Sequence, residues 1–206
     1  MVKETFFELL STTWPTLVIF LVIVIIMRYF YIRNNGKKFI LHEELLLLLF
    51  ITYILLLFEL VTSTDFESYS NNFIPFKEMF RYHLNSKLFY RNVIGNILIF
   101  VPFGYFISYY CKLPKVWYNL LVTFITSFSI ETIQSCIGRS FDIDDIILNV
   151  IGGLFGYLIY VITKLVFKKY SDTLKNNLLL NVICIIVIVT LSIIILNIYG
   201  VRLWMI

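Results

Sequence analysis

LLLLLFITYILLLFELVTS, residues Leu45 to Ser63, runs for nineteen positions with Glu59 as its one ionisable side chain. A helix of about 20 apolar residues crosses the roughly 30 Å hydrocarbon core of a bilayer, so this stretch reads as a membrane span. Working outward, comparable stretches lie at Trp14 to Ile32, Val93 to Tyr110, Val116 to Ile133, Ile146 to Val166 and Leu178 to Tyr199. Leu, Ile and Phe run through them without the two-residue alternation that a β-barrel strand needs, and helices satisfy their own backbone in lipid. The whole chain of 206 residues is 60% hydrophobic and 15% charged, too little polar material to clothe a surface in water. The fold class expected is an all-α polytopic membrane protein, a bundle of about six transmembrane helices.

The charges orient that bundle. Arg28, Arg33, Lys37 and Lys38 fall in the first connection, Lys112 and Lys115 in the third, and Lys164, Lys168, Lys169 and Lys175 in or beside the fifth. Basic loops stay in the cytoplasm, which predicts a multi-pass protein of the cell membrane with both termini extracytoplasmic. The net charge of +4 is explained by these loops, and no nucleic-acid partner is implied. Cys111, Cys136 and Cys184 have no paired spacing and suggest neither a disulfide framework nor a zinc site. The start of the first span lacks a small-residue cleavage site, so it is expected to be retained as a helix.

Three regions follow: 1–44, an N-terminal span and basic loop; 45–166, a central helical domain; and 167–206, a basic loop and a last span. Between the second and third spans, Phe76, Phe80, Leu84 and Leu88 recur every four residues with Lys77, Arg81 and Lys87 between them. That spacing predicts an exterior amphipathic helix, lying on the membrane or packed over the bundle. His83 has no ligand-spaced partner and reads as structural or solvent-exposed.

The chemistry concentrates in ETIQSCIGRSFDIDDIILN, Glu131 to Asn149. Ionisable groups at a membrane helix end normally have partners or a task. Glu131 and Gln134 share a helix face; Asp142, Asp144 and Asp145 crowd three carboxylates into four positions. One of them can cap a helix, but the mutual repulsion of the rest implies a counter-cation, for which Arg139 is nearest. Glu131, Asp142 and Asp145 are the candidate ligands for a divalent cation. Glu131 and Asp145 are candidate proton acceptors, while Arg139 is an internal charge partner or an anion clamp. Asn92 and Asn96, four apart, are expected on one face, as substrate contacts or as helix glue, and Asn96 and Asn149 as orienting amides of the acidic site. Gly152 and Gly156 form a GxxxG pattern, and Pro102, Gly104 and Gly153 complete the packing candidates. Few polar residues are expected at mid-depth, which ranks transport last among the possible activities.

NFIPF (Asn72 to Phe76), GNILIFVPFGYFI (Gly95 to Ile107) and IETIQSCIGRSFDIDDIILNVIGGLFGY (Ile130 to Tyr157) resemble, in order and spacing, the signatures of the VanZ-like membrane proteins. The resemblance covers about residues 45 to 165. It implies that Asn96, Pro102, Gly104, Glu131, Gln134, Arg139, Asp142, Asp144, Asp145, Asn149 and Gly152 are the family's characteristic positions, without supplying their roles. It also implies a bacterial cell-envelope protein contributing to low-level resistance to the glycopeptide teicoplanin. Two functions are carried forward. One is binding of an amphiphile at the outer membrane face, either a lipid-linked cell-wall intermediate or a lipoglycopeptide. The other is hydrolysis or transfer on a lipid-linked substrate through Glu131, Arg139, Asp142 and Asp145.

Overall fold

The computed structural model describes residues 2–62, 71–84, 86–169, 177–182 and 184–186. Five helices among them are long and apolar enough to cross a membrane. We label them α1 (Val2–Asn34), α2 (Leu41–Thr62), α3 (Lys87–Cys111), α4 (Val116–Cys136) and α5 (Ile143–Lys169). The all-α polytopic bundle expected from hydropathy is what forms. Most of the expected last span, Leu178 to Tyr199, lies outside the described residues; residues 177–182 are helical, and Asn181 accepts from the His42 backbone N–H at 3.0 Å, joining that piece to the start of α2.

Helices α3 and α5 make the most extensive interface, with α4 packed mainly on α5. Glycine is the reason α3 and α5 come so close. A methyl group added at Gly104 would strike the backbone carbonyl of Gly153, one at Gly152 the carbonyl of Ile97, and one at Gly156 the carbonyl of Val101. Gly153 turns a second face to Thr123 of α4, whose Oγ1 would stand 2.5 Å from an added Cβ. The expected GxxxG face is therefore a real contact, and it lies against α3. The pairings Ile97 with Gly152 and Val101 with Gly156 advance together, so the two helices run parallel with their N-terminal ends side by side.

The expected amphipathic helix does not form. Residues 71–84 are a loop with one 3-10 turn, Met79–Arg81. Its four-residue spacing loses to specific tertiary bonds, described below, that hold Phe76 at a positive φ of 66°, a conformation no helix contains. Helix α3 then begins irregularly, with a π-helical turn at Tyr90–Ile94 ahead of its regular part, Gly95–Cys111, which continues through Pro102. That wide turn breaks the expected common face of Asn92 and Asn96. Asn92 donates to the Tyr82 hydroxyl at 2.9 Å, whereas Asn96 turns to Asp145 of α5.

Overpacking a backbone contact of this kind costs about 1 to 3 kcal/mol, so Gly104→Ala and Gly152→Leu should lower the melting temperature and the accumulated amount of protein. Gly95→Ala, whose nearest added contact is an ordinary 3.6 Å, should leave both near wild type. Unchanged stability in Gly152→Leu would show that the two helices do not touch as described.

Candidate functional site at the acidic end of the bundle

Every aspartate of the Asp142–Asp145 segment has a different partner. Asp142 caps α5: its Oδ1 accepts from the Asp144 N–H at 2.9 Å and from Asn72 Nδ2 at 2.9 Å. Asp144, almost fully buried, accepts three backbone N–H bonds from the loop: Phe76 on Oδ1, then Glu78 at 2.7 Å and Met79 at 3.1 Å on Oδ2. Asp145 accepts from Asn96 Nδ2, which joins α5 to α3 at the top of their interface. The loop is fastened a second time where Asn72 pairs with Asp142 in a parallel bridge, through Asn72 N–H to Phe141 O at 2.8 Å and Ile143 N–H to Asn72 O at 3.1 Å. Three N–H bonds to one carboxylate explain why Phe76 can be held in a left-handed conformation.

Glu131, on α4, is 2% exposed and accepts from the Asp142 N–H at 2.9 Å. With its amide oriented by its neighbours, Gln134 donates to Glu131 Oε1 at 3.1 Å and accepts from Arg139 Nη1 at 2.9 Å. The backbone prepares this relay. Helix α4 ends in a Schellman turn in which Gly138, at φ 93°, donates to Ser135 O at 3.3 Å and Arg139 N–H donates to Gln134 O at 2.9 Å. Arg139 is thereby folded back over the residue whose side chain it holds, and its Nη1 also reaches Val61 O of α2 at 3.5 Å. Burial lowers the pKa of the Arg139 guanidinium, opposed by the charges of Glu131 and Asp145. Burial likewise raises Asp142 above the ordinary aspartate range, against the lowering effect of its Asn72 and Asp144 bonds.

Two expectations are corrected by this geometry. Glu131, Asp142 and Asp145 do not form a metal-ligand set, and among the described residues no group of three His, Cys, Asp or Glu side chains does. Their repulsion is relieved by amide N–H donors, which bond to the charged carboxylate and take up lone pairs that a hard cation would need. Asn149 does not join the acidic group either: 5% exposed, it donates to Ser127 Oγ of α4 at 2.9 Å and ties two helices together. Glu131, Gln134, Arg139, Asp142, Asp145 and Asn96 do come together at one end of α3, α4 and α5.

A third correction concerns mid-depth polarity. Asn119, Thr123 and Ser127 are each 0% exposed and continue down α4 from Glu131 at four-residue steps. Asn119 donates to Gly104 O at 2.9 Å and to Ser108 Oγ at 2.8 Å; its Oδ1 and the Thr123 Oγ1 have no hydrogen-bond partner. The sequence signal was present in that spacing and in the mean hydropathy of α4, 1.2, the lowest of the five spans. It was masked by Thr126, Ser129, Thr132 and Ser135, polar residues on the other faces. Asn119 Nδ2 and Ser127 Oγ are spent on bonds to neighbouring helices, and Thr123 packs on Gly153, so the stripe reads as glue and not as a solute path.

A model of the VanZ/LLP1 family matches residues 44–168. The chain belongs to the VanZ/LLP1 family. The match begins at the start of α2 and ends with α5, so every residue of the acidic end that is described above lies in the VanZ/LLP1 region, whereas α1 precedes it. No curated protein and no solved structure matches the chain.

Gly138→Ala forces a side chain into a left-handed turn at a cost of roughly 1 to 2 kcal/mol while meeting no atom within 4 Å. Asp144→Ala strands three loop N–H groups. Amide hydrogen exchange should therefore rise at Phe76, Glu78 and Met79 in Asp144→Ala and stay unchanged there in Gly138→Ala. Protection of those amides in Asp144→Ala would remove Asp144 as the loop's anchor.

Proposed function

We propose that this VanZ/LLP1-family protein is a cell-envelope factor that binds the polar head of an amphiphile at the outer face of the membrane, either a lipid-linked cell-wall intermediate or an acylated glycopeptide of the teicoplanin type, and so lowers susceptibility to the antibiotic. The supporting observation is the juxtaposition of a largely buried charged cluster and an apolar surface at one end of the bundle. Arg139, Glu131, Asp145 and Asn96 gather there, and the loop fastened over the same end exposes Phe73, Ile74, Phe80 and Leu84, with Phe80 83% and Leu84 75% exposed. A charged head matches the first and an acyl chain the second. The outward assignment rests on the opposite end of the bundle, where Arg33, Lys37, Lys38, Lys112 and Lys115 collect.

The alternative, hydrolysis or transfer at Glu131, Arg139, Asp142 and Asp145, has less support. A general base needs an oxygen within reach of substrate, and both oxygens of Glu131 already accept protein N–H bonds.

Native mass spectrometry of the protein extracted from its membrane should show a retained amphiphile. In Arg139→Gln, retention should fall roughly tenfold, the equivalent of one charge-assisted hydrogen bond. Asp145→Asn should return teicoplanin susceptibility to that of cells lacking the protein while abundance holds; wild-type resistance in that variant would take Asp145 out of the mechanism. Sidedness has a natural reporter, because Cys136 and Cys111 are both exposed and end α4 and α3 at opposite ends of the bundle. An impermeant maleimide added to intact cells should label Cys136 and spare Cys111, and the reverse pattern would invert the orientation.

A further inference from the structure

At the basic end of the bundle, far along the helices from the acidic residues, a cavity of about 440 Å³ is lined by Arg28, Glu43, Leu47, Tyr109, Tyr110 and Lys112. It lies where the end of α1, the start of α2 and the end of α3 meet. The lining is built, not incidental. Glu44, 8% exposed, holds Arg28 through Nε at 2.7 Å and Nη2 at 3.1 Å, which fixes the guanidinium plane and neutralises its charge. Tyr110 stacks on Phe50 with ring centroids 5.5 Å apart, and Tyr109 stands edge-on to Tyr110 at 5.1 Å. Lys112 ends α3 with φ 50° and ψ 44°, a left-handed cap that glycine or asparagine normally supplies.

With Arg28 satisfied by Glu44, the lining retains one positive charge, Lys112, and one negative charge, Glu43. They share the cavity without forming an ion pair, and neither the Tyr109 nor the Tyr110 hydroxyl bonds to a described residue. A purely anionic guest would set its charge against Glu43, and a purely cationic one against Lys112. A guest carrying both charges satisfies both. Basic pockets between helix ends at a membrane surface are places where lipid head groups dock.

We propose that this cavity binds a zwitterionic phosphate–ammonium group, as in the head group of an ethanolamine phospholipid, with its phosphate at Lys112 and the tyrosine hydroxyls and its ammonium at Glu43. Arg28, held rigid by Glu44, completes the same lining.

The full-length protein, delipidated in detergent, is titrated with dioleoylphosphatidylethanolamine or dioleoylphosphatidylglycerol, and bound states are counted by native mass spectrometry. The ethanolamine lipid should bind roughly tenfold more tightly than the glycerol lipid. Glu43→Gln should abolish that preference, and Lys112→Gln should weaken both lipids. Both side chains are exposed, so the lipid-free melting temperatures should match wild type and separate lost binding from lost folding. Free phosphoethanolamine distinguishes the source: displacement of the lipid at equal concentration assigns a soluble ligand of the same chemistry, and failure to displace assigns the lipid. Equal binding of the two lipids by the wild-type protein, or an unchanged preference in Glu43→Gln, overturns the proposal.

Discussion

The contact between the backbones of α3 and α5 is the constraint on which the rest of the bundle depends. Gly104, Gly152, Gly153 and Gly156 remove the side chains that would hold the two helices apart, and each place where a methyl group would fit is already filled by a carbonyl or by Thr123. In lipid, apolar side chains gain little by meeting one another, so close packing and hydrogen bonds between helices must supply the association. The parallel course of α3 and α5 brings Asn96 to Asp145 at one end, and Gly153 admits the polar face of α4 along the middle. Asn119, Ser127 and Asn149 then find partners that water would otherwise provide.

The acidic end shows how a membrane protein can carry several carboxylates in one place without a metal-ligand geometry. Glu131, Asp142, Asp144 and Asp145 all receive N–H donors, drawn from the start of α5, the loop at 71–79, and the side chains of Gln134 and Asn96. Such donors stabilise the charged carboxylate directly. They also divide the acids by task. Asp144 and Asp142 hold the loop, Glu131 holds Gln134 and through it Arg139, and Asp145 holds α3. Arg139 is the one member of the group that is set in place by a turn of its own, the Schellman motif at Gly138.

The two ends of the molecule differ in how they treat charge. At the acidic end the carboxylates and Arg139 are folded into one network, and the loop over it exposes Phe73, Ile74, Phe80 and Leu84 beside the basic Lys77 and Arg81. At the basic end Arg28 and Glu44 close on each other, while Lys112 and Glu43 stay apart around an open cavity.

Hydropathy is additive along the chain, so the membrane class, the helical state and five of the spans could be read from residues such as Leu45 to Ser63 before any contact was known. The glycine face of α5 was equally legible, because its spacing is local to one helix. Which carboxylate takes which donor was not, since Asp144 and Glu78 are separated by 66 residues and Asp145 and Asn96 by 49. The same long-range bonds turned the Phe76–Leu84 part of the periodicity into a loop, and one π-helical turn sent Asn92 and Asn96 to different partners. Local spacing records which side chains can share a face; only the packed bundle decides what that face meets, because a buried polar group is satisfied by whatever donor the tertiary structure brings within about 3 Å.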